Sequence, residues 1–191
     1  MIFRSQDIKK IAPSFDKKAL IRWQQKGYIQ KIRNTFYHFN DVERDECFLY
    51  LGGNRIYTPS YISLETALSY YNLIPEATFT ITSVTTLKTN LFQTSLATFS
   101  YRHIKPQLFF GFQLMTYNNQ TIKIATLEKT LLDYLYFNHP LGTQEAISTL
   151  RLNKAILKTS IQYSRFDTYL NLSQSPGLNR RAQTLLQYIH A

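Results

Sequence analysis

The sequence predicts an α+β protein, on three observations. Two segments with helical apolar spacing and then an alternating hairpin, all rich in Lys and Arg, make up residues 1–40. Runs that alternate with period two, many of them β-branched, recur between 78 and 125. A helix-patterned tail follows from about 143. Apolar residues make up 44% of the 191 residues and aromatics 15%, enough for a packed core, so a disordered chain is excluded. Six Gly and six Pro exclude collagen-like and low-complexity chains.

Residues 5–11 predict a short helix. Ser5 is the cap, Asp7 suits the positive first turn, Lys9 and Lys10 suit its end, and Phe3, Ile8 and Ile11 form the buried side. Ala12-Pro13 stops it, because the residue before proline avoids the helical region. A second helix, about 15–26, is expected after Ser14 and ends at Gly27 in the left-handed conformation. Its inner stripe is Ala19, Leu20 and Trp23, and Lys17, Lys18, Ile21, Arg22 and Gln25 lie on the opposite side. Residues 28–33 and 36–39 alternate around Asn34-Thr35 and predict a hairpin. Short helix, turn, basic helix and basic hairpin make the pattern of a winged helix-turn-helix over 1–40. Such modules usually begin with one more helix. A helix expected at 43–51 is the candidate to cover the core that the missing one would cover.

The polar stretch 40–46 marks the expected boundary to a second, mixed helix/sheet domain over 41–191. A helix is expected at 60–72, started by Ser60 or Ser63, with Leu64, Ala67, Leu68 and Tyr71 facing inward. Strands are expected at 78–84 and 98–104, and a hairpin from 108–117 and 121–125 around Asn118-Asn119-Gln120. Thr126 caps a strong helix through about Phe137. Leu127, Leu131, Leu132 and Leu135 are its buried stripe, and Lys129 and Asp133 form a surface pair. Gly52-Gly53 reads as a turn. The tail predicts helices at 143–159, 165–172 and 178–190.

Charge gives the functional lead. Lys and Arg number 22 against 12 Asp and Glu, a net charge of +10. Residues 1–40 hold nine bases and two acids, whereas 41–191 hold thirteen and ten. A compact basic module points to a polyanion, nucleic acid before membrane. Lys17, Lys18, Arg22 and Gln25 would face a major groove, where Arg22 can pair with guanine and Gln25 with adenine. Lys31, Arg33 and Asn34 would reach backbone or minor groove, and Lys9 and Lys10 a neighbouring phosphate. A solvated basic face explains the charges without explaining their helix–turn–helix–hairpin order.

Other chemistry is sparsely supported. Cys47 is the single cysteine, which excludes an internal disulfide and paired-thiolate metal sites. His38, His103, His139 and His190 have no metal-ligand spacing, and no phosphate-binding Gly motif or nucleophile elbow occurs. Neither a cofactor nor a metal is expected. A soluble cytoplasmic protein is expected, since no run approaches the roughly 18 apolar residues of a membrane span. Two rival readings stay open. One is a winged helix that docks protein rather than DNA. The other is a metal-dependent nuclease using Glu65, Glu128 and Asp133.

Three stretches carry a family likeness: residues 26–37, Lys-Gly-Tyr-Ile-Gln-Lys-Ile-Arg-Asn-Thr-Phe-Tyr; residues 59–68, Pro-Ser-Tyr-Ile-Ser-Leu-Glu-Thr-Ala-Leu; and residues 124–133, Ile-Ala-Thr-Leu-Glu-Lys-Thr-Leu-Leu-Asp. On these the chain resembles the AbiEi family, the antitoxin and repressor half of AbiE-type (type IV) toxin–antitoxin systems. Asn34 stands where that family usually has a wing glycine, and Asn tolerates positive φ. The resemblance implies a winged helix that represses its own operon at inverted repeats, with a homodimer on the DNA. It also implies a second, antitoxin-type domain that counters a nucleotidyltransferase-like toxin. It implies no enzymatic activity.

Overall fold

The computed structural model describes residues 1–75 and 79–191. The chain is α+β, with two sheets. Strand β1 (Ile2–Arg4) leads into helix α1 (Ser5–Ile11), then α2 (Lys18–Gln25), and the hairpin β2 (Ile29–Arg33) and β3 (Phe36–Phe39). These strands form an antiparallel sheet in the order β1-β3-β2. β1 is a strand that the sequence reading lacks. Three residues carry too short an alternation to register, but Ile2 and Phe3 are buried.

The helices α1 and α2 differ from expectation in detail. Arg4 caps α1 and its N–H donates to Asp7 Oδ2, so Ser5 is the first helical residue. Ile11 is 88% exposed rather than buried. α2 starts four residues after Ser14, where Asp16 Oδ1 accepts the Lys18 N–H. Gly27 is left-handed, as expected, at φ 73°.

Helix α3 (Glu46–Ile56) starts later and runs longer than the expected 43–51, because Asp45 caps it by accepting the Phe48 N–H. Gly52-Gly53 is no turn. Both glycines lie inside α3, where a Cβ would come within 3.1 Å of Phe99 and 3.0 Å of Ile62, so they let the helix press onto a sheet.

That sheet has the order β6-β7-β5-β4-β9-β8. Its strands are β4 (Ser60–Ile62), β5 (Thr80–Thr85), β6 (Asn90–Gln93), β7 (Thr98–His103), β8 (Phe112–Tyr117) and β9 (Gln120–Ala125). β4 replaces the start of the expected 60–72 helix. Helix α4 (Leu64–Tyr70) begins only after it, because Tyr61 and Ile62 are wholly buried in a strand paired to β5 and β9. Thr78, the expected start of β5, lies outside the described residues. Asn118 and Asn119, both at positive φ, turn β8 into β9.

Helix α5 (Leu127–Phe137) is capped by Thr126 as expected. The tail folds as α6 (Gln144–Ser148), α7 (Lys154–Ser160), α8 (Tyr163–Ser173) and α9 (Pro176–His190). The expected 143–159 helix is thus two helices, parted where Arg151 turns left-handed at φ 49° and Leu152 is buried.

The sheet lies between two packed layers. On one face α3, through Phe48 and Leu51, joins Ile62, Ile81, Phe99, Ile122 and Ile124 to Ile2, Ile32 and Phe36 of the N-terminal sheet. On the other, α5 carries the tail helices through Leu131, Leu135, Phe166, Leu178 and Leu185. One apolar cluster therefore runs across the expected boundary near residue 40.

Candidate nucleic-acid interface

α2 lies with Ala19 and Leu20 buried on the N-terminal sheet. Lys18, Ile21, Arg22 and Gln25 fall on its opposite, exposed side, and Lys17 is exposed just ahead of it. Lys18, Arg22 and Gln25 of the expected reading surface thus share the outer side of one helix, with the side chain of Ile21 among them and Lys17 at the helix cap. Ile21 is 56% exposed. Lys9 and Lys10 are exposed at the end of α1, and Lys10 Nζ stands 3.9 Å from Asp7.

The hairpin tip is pinned from two sides. The Thr35 carbonyl accepts the Ser5 N–H at 3.0 Å. The Lys31 carbonyl accepts from Ser95 Oγ at 2.8 Å. Lys31 and Asn34 point to solvent, with Asn34 at φ 46°. Arg33 does not join them. Its guanidinium carbon lies 3.5 Å from the centre of the Phe92 ring, stacked on the large sheet.

Beneath the hairpin, His38 on β3 is fully buried, edge-on to Phe48 of α3. Nδ1–H donates to the Phe39 carbonyl at 2.8 Å, and Nε2 has no partner among the described residues. Burial, then the like charges of Arg44 and the N-terminus, hold this imidazole below its ordinary pKa.

The acids proposed for a nuclease do not gather. Among the described residues no three His, Cys, Asp or Glu side chains are placed to share a metal ion. Asp133 belongs to a buried cluster instead. Its Oδ2 accepts from Tyr61 Oη and Ser63 Oγ, each at 2.9 Å, and its Oδ1 lies 2.6 Å from Lys129 Nζ. The expected surface pair is therefore an interior one, with Lys129 4% and Asp133 1% exposed. Burial first, and then the Asp133 carboxylate, push the Tyr61 phenol well above its ordinary range.

Sequence reasoning missed this cluster, although two signals announced it. Tyr61 and Ser63 are two residues apart across the extended end of β4, and Lys129–Asp133 is flanked by Leu127, Leu131, Leu132 and Leu135, which make α5 apolar nearly all round.

No family model matches the chain, and neither does any curated protein. Among the described residues no helix is long and apolar enough to cross a membrane.

Proposed function

We propose that the protein is a DNA-binding repressor and antitoxin of the AbiEi kind, with a winged helix-turn-helix at residues 1–40. The observation that carries this reading is the exposed side of α2, where Lys18, Arg22 and Gln25 lie with Ile21 on a helix that Lys17 precedes and a three-stranded sheet backs. A helix presented in this way fits a major groove, and a flanking hairpin with Lys31 and Asn34 at its tip can meet the adjacent backbone. The order β1-β3-β2, with two helices between β1 and β2, is the order that a winged helix requires. α3 supports the reading too, since it covers the inner face of that sheet, where such modules usually place one more helix.

DNA binding is then mostly phosphate neutralisation, with Arg22 and Gln25 selecting bases. The second domain would counter a nucleotidyltransferase-like toxin, as the resemblance over 59–68 and 124–133 implies. A homodimer would read inverted repeats in the chain's own upstream DNA.

A gel shift with that upstream DNA tests the reading. Specific retardation is expected, with a salt slope that flattens by about two to three units when Lys17, Lys18 and Lys31 are all replaced by Gln. No retardation at low salt refutes it and leaves the protein-docking reading. The open apolar hollow among Trp23, Tyr28, Ile29 and Phe39 would then be the surface to probe.

A further inference from the structure

The outer edge of β8 has no part in the DNA contacts. β8 ends the large sheet, and β9 is its only neighbour there. The two strands pair without a register shift, so the direction of each main-chain group along β8 follows from a few fixed points. Lys123 on β9 turns its N–H and carbonyl away from β8, since the Asn54 side chain bonds both. Leu114 stands opposite Lys123, so Leu114 likewise turns its N–H and carbonyl away from β9. The Thr126 N–H donates to the Gly111 carbonyl at 2.9 Å, which fixes the same phase from the other end. Phe112 and Thr116 then face outward with Leu114 by alternation, and no described residue bonds the outward groups of the three.

That edge is unguarded. Free strand edges are ordinarily blunted by charge, proline, a bulge or shortness. β8 has none of these. Its sequence, Phe-Gln-Leu-Met-Thr-Tyr, holds no charge and no proline, its register is unbroken, and it is six residues long. The opposite edge, β6, is four residues long. The side chains of Phe112, Leu114 and Thr116 lie on one face of the sheet, and Leu114 is 67% exposed.

We propose that β8 pairs with β8 of a second copy of this chain, antiparallel about a two-fold axis at Leu114. Phe112 then faces Thr116, Leu114 faces its own counterpart, and each pair exchanges both of its hydrogen bonds. This register uses every outward group on the strand. The occupant is a second copy because the edge is its own complement. Donors meet acceptors under the two-fold, no like charges are opposed, and the two Leu114 side chains cover each other. A strand of another protein would find the same hydrogen bonds, but an uncharged edge holds nothing to select it. The contact is narrow, which sets association in the micromolar range. The pairing rests on the repressor reading only for its use, as the homodimer on inverted repeats, and needs no DNA to form.

Sedimentation equilibrium of the full chain, without DNA, across the micromolar range tests this. A reversible monomer–dimer equilibrium is expected. Leu114→Lys and Leu114→Glu each set like charges face to face, and each should weaken association about tenfold or more. An equimolar mixture of the two should associate again, because opposite charges meet in the mixed dimer. Leu114 is exposed, so both variants keep the fold, and unchanged urea midpoints check that. A chain that stays monomeric throughout overturns the proposal and leaves the edge to a strand of another protein. A dimer indifferent to both substitutions, a mixture that stays monomeric, or a polymer larger than a dimer overturns it as well. A monomer that still retards its upstream DNA overturns this pairing alone, and a dimer that retards none overturns the repressor reading alone.

Discussion

Lys129→Met removes the cation from a carboxylate that has nowhere else to go. Asp133 is 1% exposed, and of its three hydrogen-bond donors only the two hydroxyls, Tyr61 and Ser63, would remain, both on Oδ2. Oδ1 would face the apolar end of the substituted side chain at the place where Lys129 Nζ now stands 2.6 Å away. Breaking one side of a buried pair costs about 3–5 kcal/mol, against about 0–1 kcal/mol for an exposed one. In a chain of this size that is a fall of roughly 6–20 °C in melting temperature. Asp133→Asn should cost a similar amount by the opposite route, since it keeps the shape but takes the counter-charge from the buried Lys129 ammonium, which then has the Phe110 ring at 4.8 Å and the Tyr61 ring at 6.0 Å beside it. The double variant removes both charges, so it should be more stable than the sum of the singles by about 2–3 kcal/mol. Urea unfolding of the four proteins at neutral pH, followed by tryptophan fluorescence and circular dichroism, measures the cycle. Singles that cost less than about 1 kcal/mol, or that add without coupling, would refute a buried pair and return Lys129–Asp133 to the surface.

Three further outcomes rest on single contacts elsewhere in the molecule. His38 has a folded pKa below its unfolded value, so the unfolded chain takes up the proton more readily. Its stabilising share is complete above the unfolded value of about 6.5 and is lost as pH falls below it. Melting temperatures between pH 7.5 and 5.5 should therefore drop in the parent and drop less in His38→Phe, and equal slopes would remove His38 from the account. Gly111→Ala should destabilise by about 1–3 kcal/mol, because φ is +75° there and the added Cβ would lie 2.9 Å from Tyr169 and 3.0 Å from Lys129; chemical denaturation reads this directly. Arg33→Gln should lower stability by about 0.5–1 kcal/mol through the lost stack on Phe92. It should also change the salt slope of DNA binding less than Lys31→Gln does, and a full unit of slope lost with Arg33 would show that the stack opens on DNA.

Elements with strong local signals were legible in the sequence. The α5 cap at Thr126, the left-handed Gly27 and the Asn34-Thr35 turn rest on contacts within a few residues, and the second hairpin differs from expectation only in that Gln120 already belongs to β9. What was not legible depends on distant partners. Ser60–Ile62 looks like the first turn of a helix until β5 and β9 flank it. Gly52-Gly53 looks like a turn until Phe99 and Ile62 press on it. β1 and β6 are short strands whose identity comes from β3 and β7. The same division governs the candidate sites. Exposed charge on α2 follows from helical spacing alone, whereas the Tyr61–Ser63–Asp133–Lys129 cluster needs a strand and a helix about seventy residues apart to meet. Arg33 was assigned to the tip because its position in the hairpin is visible in sequence and Phe92 is not.

The stretches that carry the AbiEi resemblance divide in the same way. From residues 59–68 come Tyr61 and Ser63, and from 124–133 come Lys129 and Asp133. These four form one buried cluster that ties β4 to α5. Their chemistry is spent inside the molecule, so likeness there speaks for a shared interior more than for a shared partner. The stretch 26–37 is different, since Lys31 and Asn34 are exposed and would have to meet any ligand directly. Between the two lies α3, which packs Phe48 against Ile2, Ile32 and Phe36 on one side while Leu51 and Gly53 meet the large sheet on the other. A helix shared by both cores holds the basic face in a set orientation to the second domain. A ligand or partner that moved α3 would therefore act on the N-terminal sheet that carries α2 through the Phe48 packing against Ile2, Ile32 and Phe36.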